Sequence, residues 1–297
     1  MIKLSIVILN KNGRQYLKGC LSSIFNQTGR RQIEVILSDN KSSDGSIKYV
    51  KNKFKKVRII EQEEDVGFAE GYNCGMRLAK GDWILILNSN TQLRENFIKN
   101  LFNYIEYVPE KVGMLAPEIR YFGTEKIYSR GLALGKLRLP YDIKDDVKEA
   151  EIFCPVECAA IYKKEMLEDT KMEFEYFDSD YYVREFDFDL GERANDTDWK
   201  CLPAWSCVVY KIKEKNKPKI DYDYFADRNR FWTLYKNNTP WEIFAGFPRI
   251  FSIQFGSLFY FAAKGKFKTV VKSKFDAVIG LGKMKIKKEL INEKRFE

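Results

Sequence analysis

The chain has 297 residues, 45% of them hydrophobic and 31% charged, with a formal net charge of +9. That balance excludes a disordered or fibrous chain, and the length allows one large α/β domain or two small ones around a sizeable core. The charge is uneven: nine lysines and a single acid, Asp276, fall between Lys264 and Lys288, so the preceding body is close to neutral and nothing points to a nucleic-acid partner.

The first apolar run, Leu4–Leu9, is followed at once by polar Asn10-Lys11-Asn12-Gly13, which suits a buried strand better than a signal peptide. Residues 14–27 read as a helix with Tyr16, Leu17, Leu21, Ile24 and Phe25 on one side. Strands are expected at 33–38, 57–61 and 82–88, with helices at 45–53 and 68–79 between them. This alternation implies a parallel sheet with crossover helices, and ligands of such sheets bind beyond the carboxyl ends of the strands. The segments NKNG, SDNKSSDG and NSNT follow strands one, two and four, so they are expected to line one rim.

A helix is expected at 91–108, stopped by Pro109, then short strand-like pieces to about 162. A carboxylate-dense stretch follows at 173–194, then a strand at 204–211, a lysine-rich loop at 211–219 and an aromatic helix at 222–238. Residues 241–263 are apolar apart from Glu242 and Arg249. No uncharged apolar stretch reaches the roughly 18 residues that a spanning helix needs. The six cysteines form no Cys-x-x-Cys pair and there is no histidine, so a structural zinc site is not supported and the thiols read as reduced.

Five segments together carry a family resemblance: SIVILNKNGRQYLKGCLSSIFNQT (5–28), EVILSDNKSSDGS (34–46), DVGFAEGYNCGMRLAKGDWILILNSNT (65–91), FDSDYYVREFDFDLGERA (177–194) and YFADRNRFWTLYKN (224–237). In this order and spacing the chain resembles family 2 glycosyltransferases, in particular their rhamnosyltransferase-like branch, over roughly residues 4–238. The resemblance implies the GT-A fold, a Rossmann-like α/β architecture with a mixed, mainly parallel sheet flanked by helices. A GT-A domain is expected over 1–238, with a nucleotide-binding half at 1–112 and an acceptor-binding half at 113–238. A C-terminal apolar and basic helical extension follows at 239–297.

The resemblance assigns the nucleobase to Asp39, whose carboxylate can accept from a pyrimidine N–H; capping a turn or helix is the structural alternative for Asp39 and for Asp44. Asn10, Asn12, Asn40, Gly67, Asn73, Asn88 and Asn90 complete the expected nucleotide-sugar set. For Gly67, Gly71 and Gly75 close helix packing is an equal reading. In the family motif, a Glu-Asp pair precedes x-Asp-Leu and its second acid removes the acceptor proton. Here the pair is Phe186-Asp187, so Asp187 is the expected base. Glu185 is expected to face elsewhere, and Asp189 to pair with Arg193 four residues on. Asp178 and Asp180 are expected to meet the acceptor.

Two positions depart from the family. The expected metal-binding aspartate after the fourth strand is Asn90, and the late-strand histidine is Lys211. A neutral amide and an ammonium are poor ligands for a hard cation. No cofactor is therefore expected, although a divalent metal held by other ligands stays open. Lys211 is the expected stabiliser of the leaving diphosphate, as at other phosphate sites. Arg228 and Arg230 are open between reaching phosphate and clamping a loop, and the aromatic residues around them read as helix packing.

The expected activity is inverting transfer from a nucleotide sugar to a saccharide or lipid-linked acceptor, with a non-catalytic scaffold or sugar-nucleotide-binding protein as the alternative. The aromatic-then-lysine segment 243–288 suits peripheral contact with an anionic membrane, which would place the protein in the cytoplasm at the inner face. A hairpin packed on the domain, or on a homo-oligomeric partner, is the other reading of that segment.

Overall fold

A computed structural model describes residues 2–29, 32–135, 137–144, 152–214 and 220–295; the 215–219 part of the expected lysine-rich loop lies outside them. The first four apolar runs are strands β1 (Leu4–Asn10), β2 (Ile33–Asp39), β3 (Arg58–Glu61) and β4 (Trp83–Asn88). Helices α1 (Arg14–Phe25), α2 (Ser46–Lys53) and α3 (Gly67–Met76) cross between them. β1 pairs in parallel with β2 and β4, and β2 with β3. Every residue of β1 is buried, as a strand covered on both faces requires. Side-chain alternation divides its residues between two apolar layers: Val7 and Leu9 lie with Tyr72 and Met76 of α3, while Leu4, Ile6 and Ile8 lie with Leu17 and Leu21 of α1.

The second half adds β5 (Thr91–Leu93), α4 (Phe97–Ile105), β6 (Val112–Tyr121), β7 (Ile127–Ser129), β8 (Leu132–Leu134), β9 (Pro140–Asp142), β10 (Ala159–Lys163) and α5 (Lys164–Thr170). A single 3-10 turn at Ser179–Tyr181, α6 (Phe186–Asp196) and β11 (Lys200–Lys211) follow. The large sheet has the order β3-β2-β1-β4-β10-β6-β11-β5, with β7 paired to β6, and β8 and β9 form a separate hairpin. β10 runs antiparallel between β4 and β6, and β11 runs parallel to β6. The carboxyl ends of β1, β2, β4 and β11 therefore share one rim with the start of β10.

The helix expected at 91–108 begins only at Phe97. Thr91–Leu93 instead pair antiparallel with β11, Thr91 opposite Lys211, and Ile212 N–H donates to Asn90 O at 2.9 Å. Lys211, expected to open a loop, is the last residue of β11 and is fixed beside Asn90.

The C-terminal region is helical: α7 (Tyr222–Asn237), α8 (Pro240–Ala245), α9 (Phe247–Ala263), α10 (Phe267–Ile279) and α11 (Leu281–Arg295). Thr239 and Glu242 form a reciprocal capping box at α8, with Pro240 in its first turn. The division expected at 238/239 is crossed by polar contacts. Trp232 Nε1 of α7 donates to Ala277 O of α10 at 2.9 Å, and Ser273 Oγ donates to Asp227 at 2.6 Å. Among the described residues no helix is long and apolar enough to cross a membrane.

Beneath α7 lies a buried ion cluster. Lys236, 1% exposed, reaches Asp178 at 2.5 Å and Asp189 at 2.9 Å. Asp189 also pairs with Arg193 at 3.2 Å, as the four-residue spacing predicts, and Lys287 of α11 reaches Asp178. Burial works against the Asp178 charge, but Lys236 and Lys287 hold its carboxyl down at about 2. Lys236→Met leaves two buried carboxylates short of a partner, with an expected cost of about 3–5 kcal/mol in urea unfolding. A depressed carboxylate stabilises the fold above its ordinary value near 4, and that stability is lost as pH falls from about 4 to about 2. The wild-type advantage over Lys236→Met is expected to shrink across that window.

Candidate active site

The three polar segments meet at the rim. Asn10, fully buried, donates from Nδ2 to Asp39 Oδ1 at 2.7 Å, and its own Oδ1 has no partner. Asp39 Oδ2 accepts from Ser42 N–H at 2.8 Å. Exposed Asn12 adopts φ 51°, a conformation asparagine tolerates, and its Oδ1 accepts from Ser43 N–H at 2.8 Å. Asp44 caps two helices, accepting from Arg14 N–H at 2.8 Å and from Ser46 N–H at 3.0 Å. The loop is thus built from its own side chains, with Asp39 at its centre.

Two residues of the expected nucleotide set are occupied elsewhere. Asn73 is fully buried, and its amide donates to Phe177 O at 2.8 Å and accepts from Phe177 N–H at 2.9 Å. It ties α3 to a segment 104 residues away and has no face for a nucleotide. Asn40, also fully buried, donates to Asp65 Oδ1 at 2.8 Å and accepts from Val66 N–H at 2.9 Å, fixing the approach to α3.

Gly67 is demanded by packing. Its φ is +79°, and a Cβ there would lie 2.5 Å from the Tyr182 ring and 2.7 Å from Tyr182 O. That carbonyl accepts from Phe68 N–H at 2.5 Å, so the start of α3 is closed by Tyr182.

Asp187 stands in the first turn of α6, 6% exposed, and lines a cleft of about 150 Å³ with Tyr128, Glu157, Arg184, Glu185 and Arg230. Its Oδ2 accepts from Glu157 N–H and its Oδ1 from Phe188 N–H, both at 2.9 Å. Burial first, then the Glu157 and Glu185 carboxylates, push its pKa up to about 8. Phe186 does not enter the cleft: it is fully buried, 4.9 Å from the Phe177 ring centroid.

Glu185 departs from expectation. Tyr182, Arg184 and Glu185 all have positive φ (61°, 68° and 63°), and this turn brings Glu185 to the same cleft as Asp187, held by Arg230 at 2.7 Å. Neither the composition nor the family motif singled out Glu157 or Arg184. Glu157 immediately precedes the Cys158 that begins the approach to β10, and its Oε2 is buried without a partner. Burial raises its pKa, while Arg184 and Lys211 pull it down. A lone acid in the apolar run around Cys154–Ile161 was the available signal.

Lys211 Nζ lies 4.8 Å from the Tyr128 ring centroid, at the edge of this cleft. Burial works against its charge, but Cys158, Tyr128 and Glu157 hold its pKa above the ordinary lysine value. Asn88 Oδ1 accepts from Tyr72 OH at 2.5 Å. Asn90, 3% exposed, donates to Ile212 O at 3.0 Å and Glu214 Oε1 at 3.2 Å, and its Oδ1 is unpartnered. One neutral oxygen and a neighbouring ammonium do not fit a hard divalent cation. Among the described residues no group of three or more His, Cys, Asp or Glu side chains is placed to hold a metal.

Asp178 has no face for an acceptor: it is 0% exposed inside the ion cluster. Asp180 is partly exposed but reaches Lys283 at 3.0 Å and Lys287 at 2.9 Å, so both acids serve the C-terminal helices. The arginines of α7 clamp the turn before α6. Arg228 donates to Asp180 O at 2.7 Å, and Asn229 between them donates to the carbonyls of Tyr181, Val183 and Arg184, each at 2.9 Å.

A mainly parallel sheet whose rim gathers these polar loops, followed by an acidic turn, defines the GT-A class of nucleotide-sugar transferase folds. The family profile for glycosyl transferase family 2 matches residues 5–171, and the chain belongs to that family. It is 34% identical to the glycosyltransferase GlyG of Streptococcus pneumoniae over 107 residues, 35% of each chain, so that match spans about a third of the relative's length. It is 23% identical to the poly(ribitol-phosphate) beta-N-acetylglucosaminyltransferase TarP of Staphylococcus aureus, over 83% of this chain and 78% of TarP. In fold it resembles S. aureus TarS residues 1–349 in complex with UDP-GlcNAc, with a TM-score of 0.59 and 15% identity, over 80% of this chain and 68% of that one.

Asp187 is the base the family motif assigns; in that role, with burial and neighbouring carboxylates pushing its pKa up to about 8, it is expected to give kcat/KM a limb that rises with pH at about 8. Glu157→Gln removes one of the two carboxylates that repel its charge and is expected to move the limb to lower pH. A limb unmoved in that variant means that Glu157 does not set the ionisation of the base.

Proposed function

We propose that the chain is an inverting transferase that moves a sugar from a UDP-activated donor to a hydroxyl of a saccharide or lipid-linked acceptor without a divalent metal. The observation that carries this is the placement of Lys211 on the rim beside Asn90, where its ammonium adjoins the cleft holding Asp187. The UDP complexes of the TarS neighbour and the naming of TarP support the donor class and a glycan-like acceptor.

In this reading residues 1–112 bind the nucleotide and 113–238 the acceptor. Asn10, Asp39 and Asn90 face the base and diphosphate, and the unpartnered acceptors on Asn10 and Asn90 meet donor groups of the ligand. The acceptor hydroxyl gives its proton to Asp187, and its oxygen bonds to the anomeric carbon from the face opposite the diphosphate. The bond from that carbon to the diphosphate oxygen breaks, and Lys211 meets the charge on the departing nucleotide. Work at the cytoplasmic face of a membrane, on lipid-linked acceptors, belongs to the same proposal.

UDP release from a panel of UDP-sugars is expected to survive excess EDTA. Lys211→Ala is expected to lower kcat by about 10²–10³, and Asp187→Asn to lower it by about 10²–10⁴ with donor binding retained. Release abolished by EDTA overturns the metal-free part, and unchanged activity in Asp187→Asn overturns the assignment of the base.

A further inference from the structure

Helices α8 and α9 contain no buried residue. Along α9, Phe247, Phe251, Phe255 and Phe259 recur every fourth position and form one ridge; Phe251 is 52% and Phe259 63% exposed. Neighbouring rings on this ridge lie 6.0, 5.3 and 5.1 Å apart. α10 lies beside α9, joined to it by Lys274, which donates to Gln254 at 2.7 Å. Val270, Ser273 and Ala277 of α10 are buried, while Phe267 and Phe275 point outward, the latter 65% exposed. On α8, Trp241 is 72% exposed. Apolar surface of this extent is unusual on a monomer in water.

Charge decides what covers it. Between Phe247 and Gly280 the chain carries Arg249 and five lysines against one acid, Asp276, which is occupied by Tyr224 OH at 2.6 Å; Lys266 and Lys274 pair with Asp223 and Asp227 of α7, which leaves Arg249, Lys264, Lys268 and Lys272 to set the charge of the face. Exposed Lys268 and Lys272 each follow directly after an outward-facing apolar residue of α10. A symmetric contact between two copies would oppose lysine to lysine, whereas an anionic surface is complementary. None of these helices is long and apolar enough to span a bilayer, so a contact with lipid through them is an interfacial one.

We propose that α8, α9 and α10 form a docking face that seats the protein on an anionic lipid surface, aromatic ridge in the acyl boundary and lysines among the headgroups. The other side of α7, on which α10 rests, clamps the turn before α6, so the seated face and the cleft are one helix apart. This deepens the membrane placement in the proposed function by naming the face and the lipid charge it takes, and its test needs no turnover, so its failure leaves the transferase reading standing.

The test is flotation of the full chain with phosphatidylcholine vesicles, with and without phosphatidylglycerol, alongside analytical ultracentrifugation. The wild type is expected to float with phosphatidylglycerol vesicles and to be released by high salt. Phe251→Ser combined with Phe255→Ser and Phe259→Ser, all at exposed positions, is expected to lower binding at least tenfold with unchanged circular dichroism. Lys268→Gln with Lys272→Gln is expected to weaken phosphatidylglycerol binding by roughly tenfold. A wild type that floats with neither vesicle overturns the proposal. So does an oligomer that the phenylalanine variant splits in the absence of vesicle binding, since the face is then a self-contact. Equal binding to both vesicle types, insensitive to the lysine changes, overturns the anionic assignment.

Discussion

The two N–H groups of the Asn229 amide are shared among three carbonyls, those of Tyr181, Val183 and Arg184. The segment they hold contains three non-glycine residues at positive φ, a conformation that costs about 1–3 kcal/mol per residue and persists only where the surroundings over-determine it. Much of the site hangs from this turn. Tyr182 O closes the start of α3, and Tyr182 OH reaches Asp65 at 2.6 Å on the nucleotide side. Glu185 is turned into the cleft, and α6 begins where Asp187 can take the backbone amide of Glu157. One fully buried asparagine thus couples the loops after β1 and β2 to the acidic helix.

The buried ion cluster does the complementary job from below. Asp178 and Asp189 face Lys236, Lys287 and Arg193 with almost no water. Such clusters contribute little net stability, because desolvation offsets the attraction. Their effect is geometric, since few alternative packings satisfy every charge at once. Because Lys287 comes from α11, the C-terminal helices complete this layer. They are part of the support of the turn before α6 as well as carriers of the aromatic face.

At the rim, Asn90 and Lys211 stand at the two positions where the family motif carries an aspartate and a histidine. The amide of Asn90 spends its donors on the strand end that carries Lys211, so one residue anchors the other. The carboxyl groups of Glu157, Glu185 and Asp187 crowd a small cleft, and Arg184, Arg230 and Lys211 supply the balancing charge. An aspartate surrounded this way stays protonated to higher pH than a free one, which is a property of the enclosure and not of the residue.

The sequence by itself determined the sheet's parallel half, the crossover helices and the rim. These follow from apolar runs of strand length, from helical periodicity and from polar segments at strand ends, all of which act over a few residues. It also determined the family, through motif order. Tertiary structure decided which polar residues are free to act. Asn73, Asn40 and Asp178 look like ligand-binding groups in the sequence, but their partners arrive from 104, 25 and 109 residues away and consume them. Glu157 and Glu185 reach the Asp187 carboxylate for the converse reason. Strand β10 runs antiparallel into the rim and a left-handed turn rotates the chain before α6, and neither event leaves a periodic trace. Burial and long-range pairing set the charge state of a carboxylate, and both exist only once the chain has closed on itself.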